Sequence, residues 1–381
     1  MKLRASTNQC STNQRSTNQR YKSAYSTLLS IAGCALAARL HAATLKFICG
    51  VIFIGGLAAG CTATSSSSGA GRALANRSQP PSSVDANTRP LYGLDNRIEV
   101  VHAGRQVCHA GRAVPALVSR STLQRTSDKH WKLAAMPRLQ DAGWCADQRF
   151  ASQPAGVICS GILIAANRIA TAAHCINAAD DPRGPALNCS DLAFVFDHRL
   201  NANGNLPGRY NPDQVYFCKQ ILAGSDAVAT ADWRIVELHR NTTRDPLPVL
   251  NLLPENLASL PMTIVGHPLG LPQKASTEGY LRERDSSGFF LANIDAFQGN
   301  SGSPVLVTHK RQPVVIGMLV RGEADAVTTT TQQCKVVRQC SAGECRGERV
   351  TSAHAFSRWS SSAGESLASI TTRTSGFSLC L

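Results

Sequence analysis

Apolar residues in this chain fall into short runs broken by Gly, Pro, Asn and Asp, and the runs lack a helical period. In residues 159–175, apolar β-formers (Ile162 to Ile164, then Ile169 and Ala170) flank Asn167-Arg168, which predicts a hairpin turning at those two residues. Trp233–Leu238 reads as a short strand with Asp232 just before it, and Gly299–Pro304 reads as a Gly/Ser turn. The 29 glycines and 18 prolines are scattered, which suits a fold of short strands and many turns.

Two N-terminal stretches break this pattern. Ser6-Thr7-Asn8-Gln9 recurs twice before residue 20, a polar repeat that cannot bury a core. Leu45–Cys61 has one basic residue, Lys46, then an apolar run of about 13 residues ending in small side chains, too short to span a bilayer but suited to a signal-peptide core. Its end, Leu57-Ala58-Ala59-Gly60-Cys61, resembles a bacterial lipobox, although Ala58 stands where Leu is commonest. That resemblance implies acylation of Cys61, export to the bacterial cell envelope, and a periplasmic or surface protein held to the membrane by its lipid. Because residues 45–61 are complete in themselves, translation is expected to start near Leu45. Residues 62–90, rich in Ser, Ala, Asn and Pro, read as a flexible tether.

Composition narrows the class. The 381-residue chain is 43% hydrophobic, ordinary for a globular protein. Its net charge of +14 is misleading: residues 1–60 hold seven basic residues and no acid, so half the excess leaves with the export segment. No basic cluster with interleaved aromatics exists, and nucleic acid is not an expected partner. Ten of the 14 cysteines follow Cys61, an even number that favours disulfides in an oxidising compartment. Cys334, Cys340 and Cys345 lack the two-residue spacing of a zinc knuckle, so no metal is expected.

Three motifs carry candidate chemistry. His174-Cys175 closes the hairpin that begins at Cys159, and a bridge between the two cysteines would fix the loop bearing His174. Asp232 can orient a His through its Nδ1–H; Asp226 is a competitor without a following strand. In Gly299-Asn300-Ser301-Gly302, glycines permit a sharp turn that exposes the Ser301 hydroxyl, with the N–H groups of Gly299 and Ser301 as oxyanion donors.

Together, in the order His, Asp, Ser, these motifs resemble the trypsin-like bacterial serine peptidases of the chymotrypsin clan, and Asn300-Ser301-Gly302-Ser303 resembles the glutamyl endopeptidase branch. Asp95-Asn96-Arg97, Ile264–Pro268 and Gly317–Gly322 resemble further elements of that branch, with His267 read as structural. The resemblance spans roughly residues 91–358. It implies an all-β fold of two antiparallel six-stranded β-barrels with an N-terminal extension. It also implies a serine endopeptidase with His174, Asp232 and Ser301 as its triad, Gly299 and Ser301 as its oxyanion hole, and no cofactor. Val320, Arg321 and Gly322 would pair with substrate backbone. Asp295, six residues before Ser301, stands where trypsin has its pocket-floor acid and implies a preference for basic P1 residues. Leu319 and Ala296 stand where the glutamyl branch has polar groups, which argues against glutamate. Asn300 replaces the Asp that pairs with a freed N-terminus, so the site is expected to be preformed.

The expected organisation is a signal region at 1–60, a tether at 61–90, an extension at 91–148, barrels at about 149–248 and 249–358, and a tail at 359–381 tied down by Cys380. A monomer acting on protein or peptide is expected. Cys159–Cys175 is the best-supported bridge. Cys108 with Cys145, Cys189 with Cys218, and two bridges among Cys334, Cys340, Cys345 and Cys380 are the remaining pairings. The alternatives are an inactive protease-like binding lipoprotein, against which the complete triad argues, and an esterase, against which the Val320–Gly322 strand argues.

Overall fold

A computed structural model describes residues 91–364, apart from 177–186, 226–230, 286–287 and 341–343. The signal region, Cys61, the tether, Asp226, Cys380 and the tail beyond 364 lie outside the described residues.

Among the described residues there is one α-helix, Arg105–Gly111; the rest is strands and single 3-10 turns, an all-β fold of the chymotrypsin-like kind. A seven-stranded antiparallel sheet runs in the spatial order 159–160, 116–119, 192–195, 215–225, 233–238, 168–171, 162–165. Its two edge strands are neighbours in the chain, parted only by Gly161, so one bent strand pairs at both ends and curls the sheet nearly shut. A side chain at 161 would meet Ile169 and Leu117, which is why the bend carries glycine. The eight-stranded sheet does the same. Lys274–Gly279 and Leu281–Arg284 flank Tyr280, the first pairing with Met262–Gly266 and the second with Phe289–Ala292. With each bent strand counted once, both sheets have six members, and Ile98–Glu99 is added at the edge of the second.

In Trp233–Leu238, Arg234 and Glu237 stay partly exposed while Trp233, Ile235, Val236 and Leu238 are buried, so the strand is covered on both faces. Leu192–Val195 is buried on both faces. One apolar cluster draws on both sheets, joining Ile162, Phe194 and Ile235 to Val265, Leu306 and Met318.

Three expectations change here. Residues 91–148 are not only an appendage. Ala116–Ser119 lies inside the first sheet, between Cys159–Ser160 and Leu192–Val195, because Ala116, Leu117 and Val118 are fully buried there. The hairpin turns at Ala166-Asn167, one residue earlier than expected, with Arg168 already in the strand. Cys145 bonds Cys334 rather than Cys108, tying the stretch between Ala116–Ser119 and Cys159–Ser160 to the segment between Gln312–Arg321 and Glu348–Ser352. Cys159–Cys175 and Cys189–Cys218 pair as expected; Cys340 bonds Cys345, but with Cys334 taken by Cys145 the two bridges expected among Cys334, Cys340, Cys345 and Cys380 do not form.

Candidate active site

The strand Arg168–Thr171 ends in a 3-10 turn, Ala173–Cys175, that presents His174. Two restraints hold this turn. Cys175 is bonded to Cys159 across a Cα–Cα distance of 6.2 Å. The neighbouring strand Trp233–Leu238 pairs antiparallel with it, Arg234 opposite Thr171, so Asp232 falls beside the turn. Asp232 accepts the His174 backbone N–H at 3.2 Å and the Nδ1–H at 2.9 Å. With Nδ1 donating, Nε2 is left as an acceptor, and it lies 2.8 Å from Ser301 Oγ.

Asp232 is 2% exposed. Burial alone would push its carboxyl up; the hydrogen bonds from His174 and the charges of His174 and Arg321 outweigh it and hold the group below its ordinary value. Arg321 contributes through Nη2, 3.3 Å from Asp232 Oδ2.

The Ser301 turn is built from backbone. Gly299 has φ of 90°, and a Cβ there would lie 2.4 Å from the His267 carbonyl oxygen; Gly302 has φ of 86°, and its Cβ would lie 2.1 Å from the Ser160 carbonyl oxygen. Neither position admits a side chain. Ser160, a polar residue in an apolar hairpin, stitches the turn to the first sheet. Its N–H donates to Ser301 O at 2.8 Å and its hydroxyl to Gly299 O at 2.9 Å. Sequence reasoning passed over Ser160; its only signal was a buried-pattern position carrying a hydroxyl. Among the described residues, the N–H groups of Gly299 and Ser301 have no acceptor. Asn300 is buried, with its amide oxygen 3.4 Å from Ser303 Oγ.

A cleft of about 770 Å³ opens over His174 and Ser301, walled by Gly299, Val320–Asp325 and Glu348, with Leu139 and Trp144 on another side. Strand pairing between Pro304–His309 and Gln312–Arg321 ends with Leu319, whose N–H reaches Ser303 and whose carbonyl accepts from Gly302. Val320, Arg321 and Gly322 run on beyond it as cleft wall.

Asp295 does not fill its expected role. It is 2% exposed and does not line the cleft; its two oxygens accept the backbone N–H groups of Tyr92 at 2.9 Å and Asn96 at 3.2 Å. The carboxylate anchors the N-terminal segment instead. His267 is buried and its pKa is lowered well below the ordinary value by burial and by His198, so it stays neutral, donating Nδ1–H to Leu271 O at 3.0 Å. This fits a structural part. Cys159, His174 and Cys175 cluster closely enough to suggest a metal site, but the two sulfurs are bonded to each other and offer no thiolate.

Residues 159–318 match the family described as the trypsin-like peptidase domain. Among curated proteins, none matches the chain.

Proposed function

We propose that this protein, whose residues 159–318 match the trypsin-like peptidase domain family, is a serine endopeptidase working through His174, Asp232 and Ser301. The observation that carries this reading is the unbroken hydrogen-bond chain from the buried Asp232 through His174 to Ser301 Oγ. His174 Nε2 takes the hydroxyl proton as Oγ attacks a peptide carbonyl. Asp232 keeps the ring in the right tautomer and stabilises its cation. The N–H groups of Gly299 and Ser301 receive the developing oxyanion. His174 then protonates the leaving amine, and water releases the acyl group by the same relay. An extended substrate would add as a strand along Val320, Arg321 and Gly322, on the edge where pairing with Pro304–His309 has ended.

The disulfides support an oxidising, exported setting, and no helix among the described residues is long and apolar enough to cross a membrane. Acylation at Cys61 and the tether complete the proposal. Labelling the mature domain with a fluorophosphonate tests it: the wild type is expected to label and Ser301→Ala to lose the label. A wild type that stays unlabelled while correctly oxidised would sink the reading.

A further inference from the structure

We propose that Asp325 is a positioning residue for the oxyanion donors: by holding the Gln298 backbone N–H, it fixes the corner of chain from which the Gly299 N–H faces the cleft. Its part rests on the serine-peptidase reading and deepens it, naming what keeps the nucleophile turn in shape.

The corner is a β-turn over residues 297–300. Asn300 N–H donates to Phe297 O at 2.9 Å, and Gly299, third of the four, has φ of 90°. A positive φ at that place marks a type II turn, and the type I alternative differs by a flip of the central peptide. The flip would turn the Gly299 N–H away and leave the Gln298 carbonyl in its place. Leu269 N–H holds that carbonyl. A trans peptide points its N–H opposite its C=O, so this bond decides which way the Gly299 N–H faces. Leu269 itself has φ of 56°, a left-handed conformation that is strained for a leucine, and it lines the same cleft as Gly299 and Ser301.

Leu269 sets the sense of the peptide; Asp325 sets where the corner sits. Asp325 Oδ2 accepts Gln298 N–H at 2.8 Å. The acid is itself built into a frame. Its carbonyl accepts Arg338 N–H at 3.0 Å, and Ala326–Thr328, next in the chain, pairs antiparallel with Lys335–Val337. Cys334, just before that second strand, is bonded to Cys145. Lys335 N–H donates to Gly143 O at 2.8 Å, and Lys335 O accepts Cys145 N–H at 2.9 Å. The hairpin is thereby fastened to the stretch around Cys145, and the Asp325 carboxylate reaches from this fixed base to the nucleophile turn.

The surroundings do not favour an acid here on their own account. Burial, above all, pushes the Asp325 carboxyl up to about 6, while the Gln298 N–H and the more distant charge of Arg97 pull the other way. Glu348, buried in the same wall, adds a second acid that feels the Asp325 charge. Arg97 is engaged with Asp95 and lies over the Phe297 ring, 4.0 Å from its centroid. The Gln298 N–H is therefore the direct partner that suits a carboxylate at this place, and an ionised acceptor holds an N–H more firmly than a neutral one.

The test is pre-steady-state acylation by p-nitrophenyl acetate, a small activated ester, which separates the acylation rate from ester binding. Asp325→Ala is expected to slow acylation by roughly 10²-fold, the scale of misplacing one oxyanion donor, with ester binding unchanged. Asp325→Asn, whose amide oxygen can still accept the Gln298 N–H, should recover most of that loss. An undiminished rate in folded Asp325→Ala, a loss confined to ester binding, or an Asn variant as slow as the Ala variant overturns the proposal. Should Asp325→Ala fail to fold, the wild type labelled with 15N-glutamine decides. Its Gln298 amide proton, assigned through Gln298→Glu, should shift as the carboxyl titrates near pH 6 and should hold still in Asp325→Asn. An amide that does not respond in the wild type overturns the proposal as well. Failure of wild-type Ser301 to label with the fluorophosphonate overturns the peptidase reading instead, while the amide titration still reports on the Asp325 bond.

Discussion

Two carboxylates, equally buried, stand on the two sheets that meet at the cleft, and they are treated in opposite ways. Asp232, from the first sheet, accepts a backbone N–H and an imidazole N–H, with Arg321 close by, and its carboxyl is held low. Glu348, from the second sheet, has a free oxygen and three acids acting on it, and its carboxyl is pushed up. The difference lies in what each lacks. Asp232 is satisfied by its own fold and is suited to holding His174 still. Glu348 has one backbone donor, from Glu323, and one oxygen that no described residue reaches. The same functional group at the same depth thus keeps its charge on one wall and is pushed toward its neutral form on the other, because burial sets the cost of a charge and the partners decide whether that cost is met.

The sharpest way to break this comparison is Asp232→Asn. The amide favours the wrong His174 tautomer, so kcat is expected to fall by roughly 10⁴-fold; a rate unchanged in a correctly folded variant would show that Asp232 does not orient His174. A smaller effect is expected from replacing Cys159 and Cys175 together by Ala. Their loop spans a separation of 16 residues, so the cost is about 3 kcal/mol by loop entropy, read as a lower urea midpoint. Activity should fall with the loosened His174 turn; undiminished activity would show that strand pairing alone positions His174.

The smallest expected effect concerns pH. Asp325, mainly through burial, is pushed up to about 6 from an ordinary 3.8. The folded state therefore binds a proton more tightly than the unfolded state, and this group's contribution to stability falls as pH rises from about 4 to about 6. Asp325→Asn removes that loss. Its melting temperature should match the wild type near pH 4 and exceed it by a few degrees at pH 7. A difference that did not change with pH would mean that Asp325 is not penalised by its surroundings, and would weaken the picture of an acidic, unpaired second wall.

Much of the site was legible beforehand because its signals are local. A glycine forced by positive φ at 299 and 302, a cysteine next to His174, and an acid at the head of a strand all depend on a few adjacent residues. The all-β class was equally readable from short apolar runs between turn residues. The hairpin at 166–167 was displaced by one position because turn boundaries depend on which rungs close, and Ala165 pairs with Arg168. Ala116–Ser119 was assigned to an appendage because a four-residue apolar run has no sequence mark that places it in one sheet rather than outside it.

By itself the sequence determined which side chains could do the chemistry and the kind of fold that would carry them. Only the tertiary structure decided how Asp295 and Glu348 divide their parts. Asp295 is taken by N–H groups about 200 positions away, and the bridge from Cys145 spans a separation of 189. Glu348 faces the cleft because its strand pairs with Gln312–Arg321 in one register. The reason is physical: a local turn is set by the conformations its own residues allow, whereas the use of a buried charge is set by which distant donors the closed sheets bring within reach, and which they leave out.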